Sequence, residues 1–284
     1  MLKKLALASA FALISVSSAS ADGWSSRQNA CSKLPSWQEL HDKLQSIITQ
    51  GGNSGLGFNM WATIVANDGT VCAVAFSGAD YKGQWLASRV ISAQKANTAN
   101  GLSLAKGVTP ATSAFGARGL ALATANLYSA VQPGGSLFGL QFSNPVDPDV
   151  AYLQQNGQPN DPATFGKFND PLVGRPIGGV NVFGGGLGLY DKGGVKVGGV
   201  GVSGDTSCTD HFVAWKLRSL LKLDRLGETS AGAGDGVAGV NADPKRPDNI
   251  VFDITAGVSA SGWGHPKCDG GLVPTSLPPV RPLN

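Results

Sequence analysis

Four cysteines, three histidines and one glycine run are the residues of this 284-residue sequence whose types and spacing could do chemistry. Gly199-Val200-Gly201-Val202-Ser203-Gly204 reads as G-x-G-x-x-G, which cradles a dinucleotide pyrophosphate when it follows a strand and opens a helix. That chemistry also needs a second parallel strand with an acidic residue at its end, about 20 positions on. Asp224 stands at that distance but falls on the last turn of an expected helix, so the glycines read as strand residues that let another backbone or a flat ligand approach. No G-x-S-x-G nucleophile elbow and no H-E-x-x-H pair is present. Cys31, Cys72, Cys208 and Cys268 show neither C-x-x-C spacing nor the C-x-x-C-H of covalent haem, and an even set of this kind suits two disulfides. Three pairings are open; Cys31 with Cys268, clamping the ends of the mature chain, and Cys72 with Cys208 is the expected one.

The amino terminus supports an oxidising destination. Lys3 and Lys4, an apolar run from Leu5 to Val16 and Ala19-Ser20-Ala21 have the layout of a secretory signal peptide over residues 1–21. The run is too short for a membrane span, and no twin arginine precedes it, so the chain is expected to be exported unfolded to the periplasm or beyond. Export without a cofactor weighs against NAD. Charged residues are 14% of the chain, with a net charge of +3 and no basic stripe, which argues against a nucleic-acid partner.

The elements that must position these residues follow from periodicity. A helix is expected from Pro35 to Gln50, then a hairpin of FNMWATIVA and TVCAVAF turning at Asn67-Asp68-Gly69. Helices are expected over 83–100 and 117–131, and a second hairpin joins VNVFGGGLGLY to VKVGGVGV through Asp191-Lys192-Gly193-Gly194. A last helix should run over 207–226, with Ser207 and Asp210 as its capping box. Residues 133–177 are rich in Pro, Gly, Asn and Asp and read as an irregular insertion; 227–284 form a Gly/Pro-rich extension to a domain spanning 22–226. Hairpins imply an antiparallel sheet with helices against it, an α+β fold.

Two motifs in this order resemble the GlcG/HbpS family of haem-binding proteins. WATIVANDGTVCAVAFSGAD, followed by a helix carrying SAQKANTA, is similar to the family's opening hairpin and Lys-Ala-x-Thr-Ala helix; GGV at 178–180 and VGGVGVSGDT before an acidic helix are similar to its closing signature. The resemblance covers roughly 35–130 and 178–223. It implies a profilin-like fold, a roughly five-stranded antiparallel sheet with helices on both faces, and a tendency to homo-oligomerise. It also implies a haem site carried by Lys95, Thr98, Gly204 and Asp210. The insertion and the extension depart from the family pattern.

A haem needs a flat apolar slot, an axial ligand and polar groups for its propionates. His211, beside Asp210 at the start of the last helix, is the expected metal ligand, since a carboxylate can orient an imidazole and a helix start keeps it neutral. His265 in GWGHPKC reads as structural and His41 as packed on the first helix; Met60 and Tyr81 are weaker ligands, Arg89 a second cation, and Phe138 and Phe183 rings that could stack. The expected function is an exported carrier, scavenger or sensor of haem or a similar flat molecule. Two other classes stay open: an enzyme of the same fold degrading haem or acting on another small cofactor, and an interaction module whose insertion contacts a partner.

Overall fold

The computed structural model describes residues 30–230, 232 and 234–284, so the expected signal segment lies outside the described residues. Helix α1 (Trp37–Gln50) is capped by Ser36, whose hydroxyl accepts from the Glu39 N–H, and Pro35 stands just ahead of the cap. Its Leu40, Leu44 and Ile47 recur at helical spacing and are buried. Strands β1 (Trp61–Ala66) and β2 (Val71–Phe76) form the expected hairpin, with Gly69 at φ 84 in the turn, a conformation that favours glycine. Helix α2 (Ser88–Leu102) follows, starting five residues later than expected because residues 80–85 are taken up by a turn.

The helix expected over 117–131 does not form. Two single 3-10 turns and a short α3 (Leu127–Ala130) stand in its place. Leu120 bridges Leu104 and Ala121 bridges Gly239, so the middle of the segment spends its backbone groups on extended pairing. The insertion holds α4 (Pro148–Tyr152) and returns beside β2, where Val71 N–H donates to Arg175 and Gly174 N–H donates to Val71. It thereby covers an edge that would otherwise present unpaired groups.

Strands β3 (Gly186–Asp191) and β4 (Val195–Ser203) complete a sheet of order β2-β1-β4-β3, antiparallel throughout. Four strands, not the expected five, make up this sheet. The carboxyl-terminal strands pair elsewhere: after α5 (Ser207–Leu220), β5 (Arg225–Gly227) pairs in parallel with β8 (Arg281–Pro282), and β6 (Ile254–Thr255) forms a small hairpin with β7 (Val258–Ser259). Helix α5 ends at Leu220, and its cap is Thr206, which accepts from Thr209 N–H, so Ser207 and Asp210 are released from the expected capping box.

Alternation along the strands sorts two cores. Ala62, Ile64, Leu187, Leu189, Val200 and Val202 face α1 and α5. Trp61, Val65, Val71 and Val74 face α2, and on that side Leu172 and Ile177 of the insertion close the core. Helices therefore lie on both faces. The extension wraps α5, which explains why that helix is buried nearly all round: Arg218 pairs with Asp248 at 2.5 and 2.9 Å, and Trp215 Nε1 donates to the Pro278 carbonyl at 3.0 Å.

All four cysteines are paired, but not as expected. Cys31 joins Cys72 and Cys208 joins Cys268, with Cα atoms 5.5 and 6.0 Å apart. Cys31 precedes α1, which packs on β2, so Cys72 is its spatial neighbour, while Cys268 arrives with the extension over α5. No helix of the described residues is long and apolar enough to cross a membrane.

Candidate functional site

The glycine run is a seat for a helix. Gly186 pairs with Gly201 and Gly188 with Gly199, so strands β3 and β4 offer a bare patch to α2. A Cβ on Gly201 would lie 1.9 Å from the Ser92 carbonyl oxygen, and one on Gly186 would lie 2.4 Å from that of Lys95. Only glycine permits this approach. The run does not form a phosphate cradle: Gly199 and Gly201 lie within β4 against α2, and Gly204, the one glycine in the turn to α5, is filled by the Asn59 and Met60 backbone.

The close approach sends the Lys95 side chain along the sheet to Asp210. Their charged ends are 2.6 Å apart with neither side chain exposed, and the ammonium lies 3.7 Å over the Phe183 ring and 3.2 Å from the Val202 carbonyl. Asp210 also accepts the Asp205 N–H at 2.9 Å. Burial pushes Lys95 down and Asp210 up, each opposed by the charge of the other. Such a pair is fully engaged and has no free valence for a ligand.

The other residues named from the resemblance are separated from each other. Thr98 donates to the Gln94 carbonyl and accepts the Asn181 N–H at 2.8 Å, which ties α2 to the chain entering β3. At Gly204 a Cβ would meet the Asn59 carbonyl oxygen at 2.6 Å, a backbone crossing with no space for a ligand.

His211 is wholly buried. His211 Nε2 lies 3.1 Å from Asn249 Oδ1, and the Ile250 N–H donates both to that nitrogen at 3.1 Å and to Asn249 Oδ1 at 2.9 Å, while the Asn249 amide nitrogen donates to the Pro274 carbonyl. Nδ1 is buried with no hydrogen-bond partner. Burial pushes the imidazole down to about 4. The electronics suit a metal, but Trp215, Phe212 and the extension at Asn249 and Ile250 pack around the ring, leaving no slot for a porphyrin. These residues do not fit a haem.

His265 is held differently. Its Nδ1 lies 2.7 Å from the Pro266 carbonyl, its Nε2 lies 2.7 Å from Ser207 Oγ, and its ring packs on Tyr128 at 5.3 Å. Cys208 and Cys268 have their sulfurs close to it, but both are in a disulfide and offer no thiolate to a metal. Ser207 was missed from sequence as a site residue because its partner lies 58 positions away, brought in by the second disulfide.

Open space lies elsewhere. A recess of 410 Å3 is lined by Ile48, Leu56, Phe58, Met60, Asp205 and Thr209. The loop that forms it is tied down by Asp205, whose carboxylate accepts from the Leu56 and Phe58 N–H groups at 2.9 and 3.1 Å. Beside the recess, Phe58 and Trp85 meet edge to face at 5.3 Å and are 41% and 50% exposed, with Leu56 and Leu86 more exposed still. Two exposed aromatic rings in contact at the rim of a recess are uncommon unless something binds there.

No family model matches the chain and no curated protein matches it. Among the solved structures similar to it are two. One is Klebsiella pneumoniae protein ORFY, of the family-model DUF336, at 21% identity over 65% of this chain and 86% of that one, with a TM-score of 0.39. The other is a PduOC:heme complex, at 21% identity over 64% of this chain and 89% of that one, with a TM-score of 0.38. Both likenesses are too distant to assign a family to this chain.

Proposed function

We propose that this chain is an exported binding protein for haem or a similar flat, largely apolar molecule, taken up on the Phe58–Trp85 surface and not beside His211. The exposed aromatic pair beside its recess carries the reading: one ring face can stack on a porphyrin plane while the other ring, set at 69° to it, meets the porphyrin with its edge, and Leu56 extends the apolar area. Two disulfides suit an oxidising compartment. The Lys-Ala-x-Thr-Ala helix and the Gly-Val-Ser-Gly strand support the GlcG/HbpS reading as sequence motifs, while their side chains act as packing. None of the three histidines lines this surface; Met60, which does line the recess, is the soft ligand nearest to it.

Hemin titration of the oxidised protein tests this. A shifted Soret band at stoichiometric haem, with affinity weakened at least about tenfold in the Phe58→Ala/Trp85→Ala variant, is expected from the loss of both aromatic contacts. An unshifted spectrum overturns the function. A shift that survives the double variant but disappears in His211→Ala overturns the location.

A further inference from the structure

The geometry points to a second, chemically distinct site: we propose that Ser207 and His265 form a nucleophile and general-base pair that cleaves carboxylic esters. Its roles follow from the hydrogen bonds. A carbonyl oxygen can only accept, so the 2.7 Å contact of His265 Nδ1 with Pro266 fixes the proton on Nδ1. Nε2 of the neutral ring is then an acceptor, and Ser207 Oγ, 2.7 Å away, must donate its proton to it. The Gly184 N–H donates to the same Oγ at 2.7 Å, which fixes the hydroxyl through one of its two lone pairs and leaves the other for attack. Nucleophile, base and base-orienting group thus stand in a line, with a backbone carbonyl where a carboxylate often serves.

The setting fits this role. Ser207 opens α5 immediately after the turn that leaves β4, a strand-turn-helix position that presents an oxygen outward, although the sequence lacks the G-x-S-x-G around it. Ser207 is half-buried while His265 is buried, so the residue carrying the nucleophile reaches the surface and the base is shielded. Burial lowers the imidazole pKa and keeps it neutral, the form that takes a proton. The Cys208 and Thr209 N–H groups at the start of α5 are taken by Cys268 Sγ and the Thr206 hydroxyl, so the helix contributes its dipole potential beside the nucleophile. Neither Ser207 nor His265 lines the neighbouring 700 Å3 cavity, but Tyr128, whose ring packs on His265, does so with Ser129, Gln132 and Trp263, which places open space next to the base for an aryl or short polar acyl group.

The step balances without a co-reactant other than water. Ser207 Oγ bonds to the ester carbonyl carbon as its proton passes to His265 Nε2. The carbon–alkoxide bond then breaks, and the alkoxide leaves with that proton as an alcohol. Water, deprotonated by Nε2, attacks the acyl-Ser207 ester, Oγ regains the proton, and the carboxylic acid departs. The Cys208–Cys268 bond joins the residue after Ser207 to a residue three after His265, so the disulfide sets the distance between the two.

Treating the oxidised protein with a fluorophosphonate and mapping the adduct by peptide mass tests the pair without needing a natural substrate. The expected result is one adduct on Ser207, slowed at least about a hundredfold in His265→Ala, in keeping with the loss of a general base. Hydrolysis of p-nitrophenyl acetate should fall in Ser207→Ala and not in His41→Ala. Absence of an adduct on Ser207 in the unmodified protein, or labelling at an undiminished rate in His265→Ala, overturns the proposal, and the first of these needs no variant to fold.

Discussion

Lys95 and Asp210 close a wholly buried ion pair, 2.6 Å apart, between the helix laid on the glycine patch and the first turn of α5. The pair links the two motifs that are most legible in the sequence. Its partners are shared with Val202, Phe183 and Asp205, so it acts as a joint between α2, the sheet and α5.

Removing one partner should therefore cost more than removing both. Lys95→Met leaves a buried carboxylate without its cation and is expected to destabilise by about 3–5 kcal/mol. Lys95→Met with Asp210→Leu should recover much of that loss, because no uncompensated charge remains. Guanidinium denaturation of the three proteins checks this; a double variant no better than the single one contradicts it.

His211 makes the fold acid-sensitive in a defined window. Its folded pKa, about 4, is below the ordinary 6.5, so protonation favours the unfolded chain. The stability from its neutral form is complete above about pH 6.5 and is lost as pH falls towards 4, on the order of 3 kcal/mol in all. His211→Gln, which keeps a polar partner for Asn249, should flatten that part of the stability curve relative to the unmodified protein. Urea midpoints measured from pH 4 to 7 decide it, and parallel curves for the two proteins would refute the assignment.

Glycines of equal composition should respond with opposite sign. Gly201→Ala drives a methyl to 1.9 Å from the Ser92 carbonyl and is expected to cost more than about 3 kcal/mol, in the range of severe core overpacking. Gly101→Ala lies in α2 with nothing within 4 Å and should stabilise by about 0.5–1 kcal/mol. Thermal melting of both variants gives the comparison.

Much of the scaffold was legible. Apolar residues at helical spacing marked α1 and α5, and Asn67-Asp68-Gly69 marked the β1–β2 turn, because these signals are local. The segment 117–131 misled for the opposite reason: its helical periodicity yielded to long-range pairing of Leu120 with Leu104 and Ala121 with Gly239. Lys95 and Asp210 were named as ligand residues and lie together, but as each other's partner. His211 was named for its neighbours in the chain, whereas its environment is set by Asn249, 38 positions away.

By itself, the sequence determined helices α1, α2 and α5, the antiparallel hairpins, the glycine strand and the even cysteine count. These follow from backbone propensity and side-chain period, which act over a few residues. The tertiary structure alone decided the disulfide pairing, the four-strand count, the sealing of His211 by the extension and the meeting of Ser207 with His265. Each of those depends on which distant segments share a surface when the two cores close, and a pattern read along one chain does not carry that information.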